Sequence, residues 1–135
     1  MKTEIYIEKR PSKIYYAICA IENSGTNIWD ITSYDAFARS VGKDVWVVKT
    51  DDIVCGVVMI EHAETGIVIS LLAKKNFNPK TFLMAWEKIK STHIQTNPSN
   101  TYRNPQMSME IQNPKLQRLA LRLGFKNIQN KFIFS

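Results

Sequence analysis

The stretch Gln106–Phe134, QMSMEIQNPKLQRLALRLGFKNIQNKFIF, decides the fold because it holds two strands, a helix and the turns that join them. Its first residues alternate apolar and polar side chains. Met107, Met109 and Ile111 share one face, which predicts a strand with one buried side. Its last residues, Lys131–Phe134, predict a strand that ends the chain. The last strand is also predicted to be split in two around residues 127–130.

The sequence predicts both the start and the end of the helix between these strands. Asn113 is the predicted N-terminal cap, and Pro114 fills the first helical position, where a missing N–H costs nothing. Gly124 ends the helix because glycine takes the left-handed backbone conformation without strain, and Phe125 folds back onto the helix. The buried face is an apolar stripe at helical spacing, formed by Leu116, Leu119, Ala120 and Leu123.

The first third of the chain predicts a strand followed by two helices. The strand covers residues 4–8, and the first helix is capped by Ser12 and stopped by Asn23, Ser24 and Gly25. The second helix begins at Ser33 and ends at Gly42. Its predicted apolar face consists of Tyr34, Phe37, Ala38 and Val41. Trp29 and Ile31 are predicted to lie in a loop against the core.

The middle of the chain predicts three strands and a helix. Residues 44–49 and 53–61 form a hairpin, because only Thr50, Asp51 and Asp52 separate two runs rich in β-branched residues. Residues 66–73, GIVISLLA, predict a central strand buried on both faces. Pro79 opens a helix that ends near Ser91. The residues that follow, 92–106, predict a surface loop that is functional or flexible, since it exceeds the usual connection length.

The composition predicts a single domain over residues 1–135, since 44% of them are hydrophobic. No apolar run approaches the roughly 20 residues of a membrane helix. The first residues mix acids and bases without an apolar segment, so we expect no secretory signal and a cytoplasmic protein. Cys19 and Cys55 lie in apolar stretches and predict core packing. His62 and His93 are well separated in sequence, so no metal site is predicted.

The net charge of +6 conceals an asymmetry between the two halves of the chain. Residues 1–65 carry seven Lys or Arg against ten Asp or Glu, a net charge of −3. Residues 66–135 carry eleven basic residues against two acidic ones, a net charge of +9. A positive half suits a phosphate-bearing ligand, a nucleic acid or an acidic protein surface. Ordinary solvated helix faces are the alternative.

The order of these elements resembles that of the GNAT superfamily of N-acetyltransferases, and the resemblance covers nearly the whole chain. In that family the fifth strand leads into an asparagine and a helix that ends in Gly-Phe, as Asn113, Gly124 and Phe125 do here. The resemblance implies an α+β fold, in which helices flank a mixed, mostly antiparallel sheet. It also implies transfer of an acetyl group from acetyl-CoA to an amine.

The resemblance places the acetyl-CoA site at the loop after the fourth strand. Family members carry two glycines there, and their backbone N–H groups wrap the pyrophosphate. This loop lacks both glycines, Pro79 removes one N–H, and Phe77 adds bulk. The residues assigned to the cofactor are Leu72, Lys74, Lys75, Asn76, Asn78, Lys80, Thr81 and Asn113.

The resemblance also implies a general acid and a general base. The family often carries a tyrosine as the acid in the last helix, and the matching position is Ala120, which cannot donate a proton. Tyr102 in the long loop is the candidate for a displaced acid. The candidates for the base are Glu61, His62, Glu64 and Glu110.

Two further functions stay open beside acetyl transfer. The chain is also similar to degenerate GNAT-like proteins of tailed phages, including small internal virion proteins, which implies a catalytically inactive binding or structural component with an acidic protein partner. Nucleic-acid binding is less favoured, because aromatic residues do not alternate with the basic ones. An opening between the fourth and fifth strands that is filled by Phe77 and Trp86 would favour the inactive protein.

Overall fold

The computed structural model describes residues 2–22, 33–63, 66–74, 77–95, 106–111, 114–128 and 131–134, with backbone alone for residues 33, 94, 95, 106 and 110. These ranges contain seven strands and four helices. In chain order the elements are β1 Thr3–Glu8, α1 Pro11–Glu22, α2 Ser33–Ser40, β2 Asp44–Thr50, β3 Ile53–Ala63, β4 Gly66–Ala73, α3 Pro79–Gln95, β5 Gln106–Glu110, α4 Pro114–Arg122, β6 Lys126–Ile128 and β7 Lys131–Phe134.

The strands form one sheet in the order β1-β2-β3-β4-β5-β7-β6. Its neighbouring strands are antiparallel except for β4 and β5, which run parallel. Helices α3 and α4 cover one face, where Ile89 and Leu119 are buried, and α1 and α2 cover the other, where Ile18 and Ala36 are buried. The predicted mixed, mostly antiparallel sheet flanked by helices is therefore confirmed.

The turn between β2 and β3 consists of Asp51 and Asp52, with positive φ angles of 51° and 66°. Two left-handed central residues are typical of the tight hairpin turn that matches the twist of the strands. The start of the chain holds this turn, because the Lys2 amide donates to Asp51 Oδ1 over 2.9 Å and the Asp51 amide donates to the Lys2 carbonyl over 2.8 Å. The predicted hairpin is confirmed, with Thr50 inside β2.

Two predicted helix boundaries were wrong. Helix α1 begins at Pro11, because the amides of Lys13 and Ile14 both donate to the Arg10 carbonyl over 3.0 Å. Ser12 is therefore inside the first turn and is not the cap residue. Helix α3 continues to Gln95 and does not end near Ser91. The residues predicted to stop α1, 23–25, and the loop residues Trp29 and Ile31 lie outside the described ranges.

The predicted buried face of α2 was also wrong in part. Tyr34 and Val41 are 69% and 73% exposed, whereas Ala36 is fully buried. Packing against α1 turns Ala36 and Ser40 toward the core, and the Ser40 hydroxyl donates to the Phe37 carbonyl. Because this hydroxyl is hydrogen-bonded, its burial carries no large penalty.

The end of α4 has the geometry that the sequence predicts. Gly124 has a φ of 104°, its amide donates to the Leu121 carbonyl over 3.2 Å, and the Phe125 amide donates to the Ala120 carbonyl over 3.0 Å. These two bonds satisfy carbonyls that a helix end would leave without donors. Phe125 is only 2% exposed, so the backward fold onto the helix is confirmed.

The final strand is split as predicted, into β6 and β7. Strand β7 pairs on its other side with β5, which makes the last three strands a continuous antiparallel sheet. No helix within the described ranges combines the length and the apolar composition needed to cross a bilayer.

Candidate functional site

Strands β4 and β5 separate after three paired positions. Gly66, Ile67 and Val68 pair with residues 106–108 of β5. Strand β4 then continues for five more residues to Ala73 with no partner on that side within the described residues. The opening between the fourth and fifth strands, which the sequence analysis made the deciding feature, is therefore present.

The space beside this opening on the α3 face is filled by side chains, and we call it the apolar interior. Its volume is about 20 Å³, which is room for about one water molecule and for no larger group. Trp86 extends into the core from α3, and its ring centroid lies 5.2 Å from that of Phe125 and 5.4 Å from that of Phe134. The lining residues are Val58, Ile69, Leu71, Phe82, Ala85, Trp86, Ile89, Met109 and Leu123.

Phe77 lies at the edge of the apolar interior, beside the start of α3. It is 6% exposed, and its ring meets that of Phe82 edge to face with 5.1 Å between the centroids. Trp86 therefore lies in the interior, whereas Phe77 closes its edge. The burial of Phe77 follows from a tight turn, in which the Phe77 amide donates to the Lys74 carbonyl over 3.0 Å.

The N-terminus of α3 is satisfied by the chain itself. Asn78 Oδ1 accepts the amide of Lys80 over 3.0 Å, and the Asn78 carbonyl accepts the amide of Thr81 over 3.0 Å. Pro79 has no N–H to offer. The Lys74 amide is also engaged, with the Cys55 carbonyl over 2.8 Å. These backbone groups therefore fit a capped helix and do not fit the pyrophosphate of acetyl-CoA.

The other residues assigned to the cofactor give little support to that assignment. Leu72 is fully buried, Thr81 is 2% exposed, and Lys74 is half-buried. Lys75, Asn76 and Asn113 lie outside the described residues. The set stays a prediction.

A cationic groove runs between the start of α3 and α4. It encloses about 370 Å³. Lys115, Arg118 and Arg122 are spaced three, four and seven residues apart, which places them on one face of the helix. The ammonium of Lys115 lies 4.7 Å from the ring centroid of Phe77. The lining residues are Phe77, Pro79, Lys115, Arg118, Leu119 and Arg122.

Sequence reasoning missed this groove because it sought the positive charge in the loop before α3. The signal was present in α4, where the basic residues repeat at helical spacing within PKLQRLALR. Arg118 and Arg122 are exposed, and neither has an acidic partner among the described residues. Their charge is therefore available to a ligand.

A polar cleft of about 290 Å³ opens on the opposite face of the sheet, at the point where β4 and β5 separate. Ser70 and Ser108 alternate along their strands with residues of the apolar interior, so their side chains lie on the α2 side. Ile69 and Met109 line both spaces. The polar cleft is lined by Arg39, Val68, Ile69, Ser70, Ser108, Met109 and Lys131.

Glu61 lies beside the polar cleft. It pairs in register with Val68, and its carboxylate oxygen lies 3.6 Å from the ammonium of Lys43. The matching position for a general acid, Ala120, is 1% exposed in the core. Tyr102 and Glu64 lie outside the described residues, as does the side chain of Glu110. The catalytic assignments of Glu61, Glu110 and Tyr102 stay predictions.

Two histidines that are distant in sequence meet in space, which corrects the argument that their separation excludes a shared site. The rings of His62 and His93 lie 5.4 Å apart, because the ends of β3 and α3 meet beside the start of β2. Asp44 Oδ2 lies 3.3 Å from His62 Nε2 and 4.0 Å from His93 Nδ1. One ligand atom from each of the three residues falls within 4.8 Å of the others, a spacing that a metal ion could use.

The hydrogen bonding of His93 favours a different arrangement. The indole N–H of Trp46 donates to His93 Nε2 over 2.9 Å, so Nε2 must present its lone pair. In neutral His93 the proton is then on Nδ1, which faces Asp44 and could not ligate a metal. Burial lowers the pKa of His93, which keeps the ring neutral. The bond from Trp46 therefore fixes the tautomer of His93, while Asp44 hydrogen-bonds to His62 and lies, at 4.0 Å, too far from His93 Nδ1 for a hydrogen bond.

The comparisons with solved structures return N-acetyltransferases over almost the full chain. The ribosomal-protein-S18-alanine N-acetyltransferase of Escherichia coli superposes with a TM-score of 0.69 at 10% identity, covering 98% of this chain and 91% of that one. A probable acetyltransferase of Staphylococcus epidermidis gives a TM-score of 0.73 at 11% identity, with 99% of each chain covered. A putative acetyltransferase of Salmonella typhimurium, in a structure with its cofactor acetyl-CoA, superposes with a TM-score of 0.57 at 16% identity. The match covers 93% of this chain and 80% of that one.

The chain therefore has a divergent GNAT fold, as the resemblance implied. The sequence itself matches no protein-family model and no curated protein. At such identities the structural likeness shows the fold alone. The function has to be argued from the residues.

Proposed function

We propose that this protein uses the GNAT fold to bind an acidic partner protein and that it does not transfer acetyl groups. The observation that carries the proposal is the filled apolar interior, with a volume of about 20 Å³. An acyl-CoA would have to place its pantetheine arm between β4 and β5. Trp86, Met109 and Leu123 line the apolar interior beside that opening, and only about 20 Å³ is left there.

The start of α3 supports the same conclusion from a second direction. A phosphate held at a helix N-terminus needs free backbone N–H groups. Asn78 already accepts the amides of Lys80 and Thr81, and Pro79 has none. Binding acetyl-CoA there would break these bonds without giving the proline a donor.

The cationic groove supplies the positive part of the proposal. Arg118 and Arg122 can each hold a carboxylate through two parallel N–H···O bonds. Phe77 and Leu119 give the groove an apolar floor for the aliphatic part of an acidic side chain. An acidic polypeptide offers both groups. No row of exposed aromatic rings follows the described groove residues, so stacking of nucleic-acid bases is not favoured.

Two measurements test this proposal. Calorimetric titration with acetyl-CoA at millimolar concentration is expected to give no binding heat. A fluorescently labelled poly-glutamate peptide is expected to bind, with an affinity that falls as salt rises. The double variant R118E/R122E should lose that binding. The double variant K9E/K13E makes the same change in net charge on two exposed residues at the start of the chain, so it is the matched control and should weaken binding far less.

Three results would contradict the proposal. Saturable acetyl-CoA binding is the first, and equal loss of peptide binding in both charge variants is the second. Tighter salt-sensitive binding of a DNA oligonucleotide than of the peptide is the third, because it would assign the groove to nucleic acid.

The second candidate is an N-acetyltransferase that acts on an amine, as the names of the superposed structures indicate for those proteins. The separation of β4 from β5 favours it, since the cationic groove and the polar cleft then lie on opposite sides of one opening. Glu61 stands beside the cleft as the candidate base. This candidate is tested by measuring the release of free CoA from acetyl-CoA in the presence of a panel of amines. A release rate no higher than that in buffer without the protein would rule the candidate out.

The remaining features of the proposal come from the sequence resemblance alone. An origin in a tailed phage and a place in the host cytoplasm or the virion stay predictions.

A further inference from the structure

The cationic groove meets a second concavity at Phe77. This space encloses about 330 Å³, and we call it the apolar notch. Phe77 lines both spaces, and Asn78 of the notch is followed directly by Pro79 of the groove. Because Phe77 is only 6% exposed, its ring forms a floor under both spaces and does not project between them as a wall. The notch is lined by Thr50, Asp51, Ile53, Cys55, Lys74, Phe77 and Asn78.

The notch lies on the same face of the sheet as the groove. Cys55 and Phe77 pack in the core on the α3 and α4 side, whereas Val54 packs on the α1 side. Side chains alternate between the faces of a strand, so Ile53 lies on the opposite face to Val54 and shares the face of Cys55. One extended ligand can therefore reach the groove and the notch from the same side.

The surface of the notch is mostly apolar. Ile53 and Phe77 contribute side chains without polar atoms, and the Cys55 thiol already donates to the Val48 carbonyl over 3.4 Å. A buried free cysteine behaves as a small hydrophobic residue. Ile53 is 56% exposed, and a ligand that covered it would remove apolar surface from water. The notch therefore suits an apolar side chain.

The charges around the notch do not favour a further carboxylate. Asp51 and Lys74 line it with opposite signs, and Asp52, the next residue of the hairpin turn, adds a second negative charge. Lys75 lies outside the described residues, and it adds no acid beside Lys74. A carboxylate would meet repulsion as well as attraction here. The groove, in contrast, has three basic residues and no acidic one in its lining.

We infer that the acidic partner carries an apolar side chain of about the size of leucine beside its acidic residues, and that this side chain enters the notch while the acids lie in the groove. The inference rests on the proposed function and deepens it, because it states what selects the partner besides charge. Exposed ion pairs contribute little affinity and are screened by salt. Burial of apolar surface is not screened, so it supplies the part of the affinity that persists as salt rises.

Two series of fluorescently labelled peptides test the inference. Each peptide has six glutamates and a leucine, separated by one to four serines, with the leucine at either end of the acidic run. In the reference series a serine replaces the leucine. The best-spaced leucine peptide is expected to bind about tenfold more tightly than its reference and to keep that ratio at high salt. Its binding should also shift the backbone amides of Ile53 and Cys55, which the reference peptide should leave unchanged.

A matched pair of variants locates the leucine. Ile53→Ser removes the exposed apolar wall of the notch, so it should abolish the gain from leucine and leave the affinity for the serine peptides unchanged. Ile128→Ser is the control, because Ile128 also lies on a strand and is 52% exposed, close to the 56% of Ile53. It should keep the gain. The groove variant R118E/R122E should weaken the binding of both series.

The results separate this inference from the proposed function. If the serine peptides bind and no leucine peptide binds more tightly, the notch inference is overturned while the acidic partner stands. The same holds if Ile53→Ser and Ile128→Ser reduce the leucine gain equally, or if the leucine peptide shifts no amide of the notch. If no serine peptide binds, the proposed function itself fails, and the inference fails with it.

Discussion

The indole N–H of Trp46 donates to Nε2 of His93 over 2.9 Å, joining the first strand of the β2–β3 hairpin to the last turn of α3. Trp46 is 2% exposed and His93 is 9% exposed, so this bond lies out of reach of bulk water. The second core tryptophan, Trp86 in α3, differs in its hydrogen bonding. Trp86 Nε1 is buried and has no hydrogen-bond partner within the described residues.

This contrast predicts different costs for the same substitution at the two tryptophans. Trp46→Phe leaves the His93 acceptor buried without a donor, whereas Trp86→Phe removes an N–H that is already unpaired. We expect Trp46→Phe to lower the free energy of unfolding by about 1–3 kcal/mol more than Trp86→Phe does. Guanidinium denaturation of the two variants measures the difference, and equal losses would contradict it.

The pKa of His93 predicts that stability falls in mild acid. Burial lowers this pKa below the ordinary value of 6.5, while Asp44 opposes the shift and His62 adds to it. The unfolded chain therefore takes up the proton first, and the free energy of unfolding decreases as the pH falls through 6.5 toward the lower folded value. His93→Gln keeps an acceptor for Trp46 and should remove this part of the pH dependence. An unchanged slope between pH 7 and pH 5 in that variant would refute the assignment.

A second acid transition should come from Glu8 at lower pH. Arg10 donates from Nε and Nη2 to the two carboxylate oxygens over 3.0 and 3.1 Å and lowers the pKa of Glu8 to about 2. This stabilisation is present above the unfolded value of 4.5 and is lost as the pH falls from 4.5 toward about 2.

Arg10→Gln tests the source of that lowered pKa. The variant should raise the pKa of Glu8, measured by side-chain carboxyl shifts, and should move the acid loss of stability to higher pH. Lys9→Gln is the matched control, since only the backbone amide of Lys9 bonds to Glu8. A similar effect in both variants would show that general charge, and not the paired guanidinium, sets the pKa.

Local signals allowed the sequence to predict the end of α4 and the turn between β2 and β3, although the start of α1 and the end of α3 were predicted wrongly. The stop at Gly124 and Phe125 and the turn at Asp51 and Asp52 depend on backbone preferences of adjacent residues, and both are confirmed. The prediction for the buried face of α2 was wrong in part, because packing against α1 decides which side chains of this helix are buried. Tyr34 carries an aromatic ring and was predicted to be buried, yet its side chain is 69% exposed.

The candidate site could be predicted only where one segment carries it. Trp86 is buried on the apolar face of α3, and helical periodicity within that one segment is enough to predict this. The cluster of Asp44, His62 and His93 draws on three elements, and no spacing in one segment reveals it. The polar cleft depends likewise on where two strands stop pairing, which side-chain periodicity does not report.

Gly56 tests directly whether the apolar interior is filled. A Cβ atom at this position of β3 would collide with the ring of Phe82, whose Cε1 would lie 2.8 Å away. The ring would have to move into a space of about 20 Å³. We expect Gly56→Ala to cost about 1–3 kcal/mol of unfolding free energy by overpacking. In a Phe82→Leu background the same substitution should cost much less, and the double-mutant cycle measures that coupling. A cost near zero for Gly56→Ala alone would mean that the ring finds room, and a space with room for Phe82 would remove the main argument against a pantetheine arm.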